Sequence, residues 1–174
     1  MVEALAAATI GATHNQYAGS ALRRERLGRY LASRGGARVM LVGEAAGYRG
    51  ARVSGVPFTS ERQLTGSGPA EASATIVHRV LRELGIEDDV LLWNLVPTHP
   101  HHPGVPASNR PPTRAEIAAA RPFLDALSAA GPSNRRVLAV GRLAQRELGG
   151  PYVRHPSHGG AAVFRETLGS CLSS

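Results

Sequence analysis

VMLVGEAAGYRGARVSGVPFTSERQL, residues 39–64, opens on an apolar run, breaks into a glycine-rich loop around one carboxylate, and continues past a single phenylalanine. The run Val39-Met40-Leu41-Val42 lacks the polar alternation of a half-exposed strand, so it predicts a short parallel strand covered on both faces. Gly43 is expected to end it. Glu44-Ala45-Ala46-Gly47 then falls outside the carboxyl end of that strand, where open α/β sheets hold their ligand crevice. Small residues let a substrate approach the backbone closely, and Glu44 is the only acid between the strand and Glu61. An acid so placed fits catalysis, although glycine and alanine after a strand also occur in plain strand-to-helix turns.

Downstream the pattern alternates. Residues 70–84 carry Ile76, Val77, Val80, Leu81 and Leu84 at helical spacing, and Gly85 closes that helix. Val90-Leu91-Leu92-Trp93 is a second continuous apolar strand, with Asn94 expected just past it at the same sheet edge as Glu44. Such an amide either satisfies loop backbone groups or reads a ligand. Thr113 and Glu116 form a capping box ahead of a helix with the apolar stripe Ile117, Ala120, Phe123, Leu124 and Leu127. Val137–Val140 is a third buried strand, residues 142–148 a short helix, and residues 151–154 a short strand leading to His155-Pro156-Ser157-His158-Gly159-Gly160. A closing helix spans 161–172. Strand and helix in alternation imply right-handed crossovers and a parallel sheet. The expected fold is α/β: a three-layer α/β/α sandwich with a central, mainly parallel four-stranded sheet. Residues 1–174 are read as one domain, with 1–36 a peripheral helical segment whose helix, Leu22–Leu31, has one basic face.

All 20 basic residues are arginine, and the formal net charge is +7. Arginine's planar fork grips phosphate oxygens bidentately, so an arginine-only excess fits a polyanionic partner. A genomic bias would explain arginine over lysine but not the surplus over acids. The lone cysteine, Cys171, can form neither an internal disulfide nor a cysteine-ligated cluster. No apolar run approaches the length of a membrane span and no signal-peptide layout opens the chain, so a cytoplasmic, nucleoid-associated monomer is expected. The loop 96–112 holds six prolines and three histidines. His99, His101 and His102 have no acid or cysteine nearby, which favours a polar wall or phosphate-facing rim over a metal site; no metal and no cofactor are expected.

GEAAG at 43–47, VPF at 56–58, WNLV at 93–96, NRPPTRAEI at 109–117, AVGRLAQREL at 139–148 and HPSHGG at 155–160, in this order, resemble the uracil-DNA glycosylase superfamily from about Arg38 onward. The resemblance implies a DNA-repair hydrolase that flips uracil out of DNA and leaves an abasic site. It implies catalytic roles for Glu44 and His155, a base-stacking role for Phe58 and a base-reading role for Asn94. Gly43, Ala45, Gly47, Tyr48 and Ser157 would complete the substrate pocket. His158, Gly159, Gly160 and Ala161 would enter the duplex where the base has left. Ala46 replaces the proline usual in the first motif, Ala45 stands where other branches have the water-activating Asp or Asn, and the cysteines of the iron–sulfur branch are missing. Gly47 occupies the position where one branch has a thymine-excluding tyrosine, with Tyr48 adjacent.

The chemistry agrees with these residue types. Breaking an N-glycosidic bond develops positive charge on the sugar and negative charge on the base, so a carboxylate is needed on one side and hydrogen-bond donors on the other. A stacked base reaches neither without flipping, which explains an aromatic shelf and a wedge loop in one chain. Two alternatives stand beside uracil excision: removal of another deaminated base such as hypoxanthine or xanthine, and lesion binding without cleavage.

Overall fold

The computed structural model describes residues 1–173. In chain order the elements are α1 (Val2–Ala7), β1 (Thr13–His14), α2 (Ala21–Ser33), β2 (Val39–Ala45), α3 (Ala51–Ser54), α4 (Glu61–Thr65), α5 (Ala72–Glu83), β3 (Val90–Val96), β4 (His99–Pro100), α6 (Arg114–Ala129), β5 (Arg136–Val140), α7 (Arg142–Leu148), β6 (Tyr152–Val153) and α8 (Ala161–Ser173). Four strands form a wholly parallel sheet in the order β3-β2-β5-β6. The unbroken apolar runs follow from burial on both faces. Met40, Val42, Leu91, Trp93 and Ala139 enter one core with residues of α1, α2, α6 and α7. Val39, Leu41, Leu92, Leu138 and Val153 enter the other, with residues of α5 and α8. Helices therefore cover both faces of the sheet, giving the three layers.

The strands run further than expected. Gly43 does not end β2, and Asn94 lies within β3 rather than past it, because the two strands pair beyond the apolar runs: Gly43 with Asn94 and Ala45 with Val96. Cross-strand pairing overrides glycine's weak strand preference. This register sets Asn94 beside the first residue of the glycine-rich loop.

The amino-terminal segment is not peripheral. Leu5, Ile10, Tyr17 and Leu27 are buried in the first core, and the segment grips the loops at the carboxyl edge of the sheet. Gln16 Nε2 donates to the Pro97 carbonyl at 2.8 Å, Tyr17 Oη to the Gly55 carbonyl at 3.1 Å, and Arg23 Nε to the Val53 carbonyl at 2.8 Å. β1 pairs antiparallel with β4, setting Thr13 opposite Pro100 and His14 opposite His99. The histidine-proline loop is thus held as a small ladder. At its end the expected capping box of α6 forms between Thr113 and Glu116.

Candidate active site

A cleft of about 540 Å³ opens at the carboxyl edge of the sheet. Glu44, Ala45, Gly47, Phe58, Asn94, His155, Ser157 and His158, all singled out in the sequence, line it. Gly43 forms its floor rather than its lining. A β-carbon there would stand 2.2 Å from Phe58 Cζ and 3.1 Å from Asn94 Oδ1, so only glycine lets the aromatic ring and the amide meet over the strand. Gly159, Gly160 and Ala161 lie beyond the lining, at the turn into α8. Tyr48 also stands off the cleft: the Arg52 guanidinium lies over its ring at 4.7 Å.

Phe58 has a left-handed backbone at φ 52°, a conformation that costs a non-glycine residue about 1–3 kcal/mol unless its surroundings enforce it. Ser54 enforces it here. Its Oγ accepts from the Val56 N–H at 3.0 Å and donates to the Thr59 carbonyl at 2.6 Å, closing the Val56–Thr59 turn from within. Tyr17, by holding Gly55, anchors the same turn to the amino-terminal segment.

Asn94 is 3% exposed, yet its side-chain amide makes no hydrogen bond among the described residues. A buried amide without protein partners is costly, and this one borders the cleft. It therefore does not serve to satisfy loop backbone. Its donor and acceptor are available to a ligand.

His155 sits at the start of the loop after β6. Its Nδ1 accepts from the Ser157 N–H at 3.2 Å and lies 2.8 Å from Ser157 Oγ. An accepting Nδ1 in a neutral imidazole requires the proton on Nε2. Burial first, then the neighbouring Arg154 and His158, lower the His155 pKa below its ordinary value, which favours the neutral ring with its Nε2–H donor. Glu44, half-buried, has its pKa raised by burial, with Arg146 opposing the shift. The loop carrying it is tied down by His99, whose buried Nδ1 donates to the Ala46 carbonyl at 2.8 Å, and by the Ala46 N–H donating to the Val96 carbonyl at 3.2 Å. His99 is a brace under the glycine-rich loop, not part of an exposed rim. Among the described residues no group of three or more His, Cys, Asp or Glu converges as metal ligands would.

Two features of the cleft had no role assigned from the sequence. Glu71, at the start of α5, presses its carboxyl over the glycine loop: Oε1 lies 1.9 Å from where a Gly47 β-carbon would be, and Oε2 2.2 Å from that of Gly50. It has no hydrogen-bond or ion-pair partner among the described residues, and burial raises its pKa. It thus fills the room that a side chain at 47 would take. Nothing local marks it, because an acid at a helix amino terminus is ordinarily explained by the helix dipole. The second feature is the segment Asn109-Arg110. Asn109 Oδ1 accepts from the Tyr48 N–H at 2.9 Å, and Arg110 forks onto Glu116 at 2.8 and 2.6 Å.

The family model of the uracil DNA glycosylase superfamily matches residues 32–168. Among solved structures, the chain is similar to the crystal structure of wild-type Pedobacter heparinus SMUG2, with a TM-score of 0.71 at 13% identity over 95% of this chain and 90% of that one. At that identity the likeness is one of fold. No curated protein matches this sequence closely enough to count as a relative.

Proposed function

Since the chain belongs to the uracil-DNA glycosylase superfamily, we propose that it is a monofunctional DNA glycosylase that takes uracil flipped from DNA and hydrolyses its bond to the sugar. The observation that carries the choice of base is the partnerless Asn94 amide beside Phe58. An amide can accept from uracil N3–H and donate to O4, and the aromatic ring is a shelf for the base. His155, with its proton on Nε2, donates to O2.

In the reaction the bond from C1′ to N1 breaks and its electron pair leaves with the base. The Nε2–H of His155 stabilises the resulting negative charge on O2 without transferring its proton. The ionised Glu44 stabilises positive charge on the sugar, orients a water toward C1′ and accepts the proton that the water loses. The products are an abasic site and free base. Burial keeps His155 neutral, and Arg146 opposes the rise that burial imposes on the Glu44 pKa.

The test is release of base from otherwise identical oligonucleotides carrying uracil, hypoxanthine or xanthine. Uracil release with turnover is the expected result. Release of only a purine would reassign the substrate, and tight binding with no release from any of the three would make the protein a lesion binder.

A further inference from the structure

The loop that presents Gly47 and Ala51 to the cleft also carries Tyr48, Arg49 and Arg52 into a second concavity, of about 490 Å³, completed by Arg62 and Pro69. No acid lines it. Several arginines elsewhere are paired, Arg34 with Asp88 at 2.9 Å, Arg38 with Asp89 at 3.0 Å and Arg26 with Glu61 at 2.8 Å. Arg49, Arg52 and Arg62 have no ion-pair partner among the described residues. Arg52 is fixed by stacking on Tyr48, and its Nε–H is buried without an acceptor. Arg62 is held by Nε donating to the Gly68 carbonyl at 3.1 Å, which leaves its terminal nitrogens open. Three convergent guanidinium groups, two of them pre-positioned and one with an orphan donor, form a site for an anion with several oxygens.

We propose that this concavity binds backbone phosphates of the DNA strand whose base enters the cleft. The inference rests on the reading of the chain as a DNA glycosylase and adds to it a specific contact surface for the strand, built from three unpaired arginines. The shared loop makes the connection: a nucleotide whose base lies against Gly47 leaves its flanking phosphates on the side of Tyr48 and Arg49. Phosphate contacts fix the register of the strand, while the cleft reads the base.

The test is the salt dependence of binding to a duplex with a non-cleavable abasic analogue, for the wild type and for Arg49→Gln/Arg62→Gln, whose side chains are exposed and whose loss leaves the core intact. Each phosphate contact contributes roughly 0.9 to the slope of log K against log salt concentration, so the double variant should lower the slope by about 2. Adding Arg52→Gln should lower it further. Arg79→Gln/Arg82→Gln removes the same charge from the exposed side of α5 and should leave the slope unchanged. Equal effects of the two pairs would mean general charge, not a site, and would overturn the proposal, as would no effect of the Arg49/Arg62 pair. Inorganic phosphate distinguishes a free-phosphate site: if it raises the melting temperature of the wild type but not of the double variant, while the DNA slope is shared by both, the DNA assignment fails. A wild type that releases uracil with a slope indifferent to these arginines sinks this inference alone. One with a slope that depends on them but no release of base sinks the enzymatic reading alone.

Discussion

The backbone N–H of Ser157 points at Nδ1 of His155 from 3.2 Å, and that one contact decides which imidazole nitrogen carries the proton. Protonating Nδ1 would set two donors against each other, so the contact and the burial of the ring act in the same direction. The motif His-Pro-Ser therefore holds a neutral donor at the cleft.

A pH prediction follows from His155 and Glu44 together. In the proposed mechanism the active form has Glu44 ionised and His155 neutral. Glu44 loses its charge as pH falls through a pKa raised above 4.5, and His155 gains one as pH falls through a pKa lowered from 6.5. Both changes lie on the acid side, so single-turnover excision should be level at neutral pH and fall in acid. Glu44→Gln should lower the plateau by about two orders of magnitude while binding to an abasic analogue persists. A rate that stays level into acid, or a Gln variant near wild type, would remove the mechanism.

Gly43→Ala tests the floor of the cleft. The added β-carbon would overlap the Phe58 ring, and because the Phe58 turn is pinned by Ser54 and Tyr17 the ring cannot withdraw freely. Overpacking of this kind costs about 1–3 kcal/mol. Excision should fall more than tenfold, with a modest drop in melting temperature. Unchanged excision would mean that Phe58 is not the shelf.

The pair Arg110–Glu116 should make the site edge acid-sensitive. Hydrogen bonds from Arg110, followed by the Thr113 backbone N–H, hold the Glu116 pKa at about 2 against an ordinary 4.5. A depressed pKa means stability that is present above 4.5 and lost as pH falls toward 2. The shift corresponds to about 3 kcal/mol, and the Glu116 side chain is only 3% exposed, so solvent screens little of it. Glu116→Gln should lower stability by about that amount at neutral pH and flatten the acid limb of a denaturation series. A variant as stable as wild type at pH 7 would contradict this account.

The order of strands and helices was legible because double-sided burial leaves unbroken apolar runs and because Thr113 and Glu116 advertise a helix start. The ends of β2 and β3 were not, since Gly43 and Asn94 become strand residues only by pairing with each other. Glu44, Phe58, Asn94 and His155 could be picked out because each belongs to a motif resembling those of the glycosylase superfamily, and the fold brings them to one cleft. Tyr48 illustrates the limit: sequence adjacency to Gly47 suggested the pocket, but one residue along a turn reverses the side-chain direction, and its ring meets Arg52 instead. His99 looked like a rim residue because proline-rich loops are usually exposed, whereas β1, distant in sequence, covers it.

Glu71 offers a sharper test of the pocket wall. Its carboxyl occupies the space over Gly47 and Gly50 without a protein partner, so it should influence which base is accepted more than whether the chain folds. Glu71→Ala opens that wall and should narrow the preference for uracil over thymine at least several-fold, while Glu71→Gln, which keeps the shape, should change it less. The measurement is relative kcat/KM on uracil and thymine opposite guanine. Equal loss on both bases, accompanied by a lower melting temperature, would make Glu71 a structural residue.

Asn94→Asp asks which atom reads the base. The amide matches uracil, accepting from N3–H and donating to O4, and mismatches cytosine, whose N3 carries no proton and whose exocyclic amine is a donor. Asn94 is 3% exposed and borders the cleft, so once a base fills the cleft an unmatched group there is cut off from water, and each one costs about 1–3 kcal/mol. One residue thus supplies up to roughly a hundredfold discrimination by the same principle. The aspartate keeps the shape, removes the donor and adds an acceptor, so uracil excision should drop sharply and slow cytosine excision should appear. Uracil and cytosine oligonucleotides of one sequence, compared under single-turnover conditions, provide the measurement. If uracil excision survived the change intact, the reading atoms would have to lie on another wall of the cleft, where the unpartnered Glu71 carboxyl is one group able to supply them.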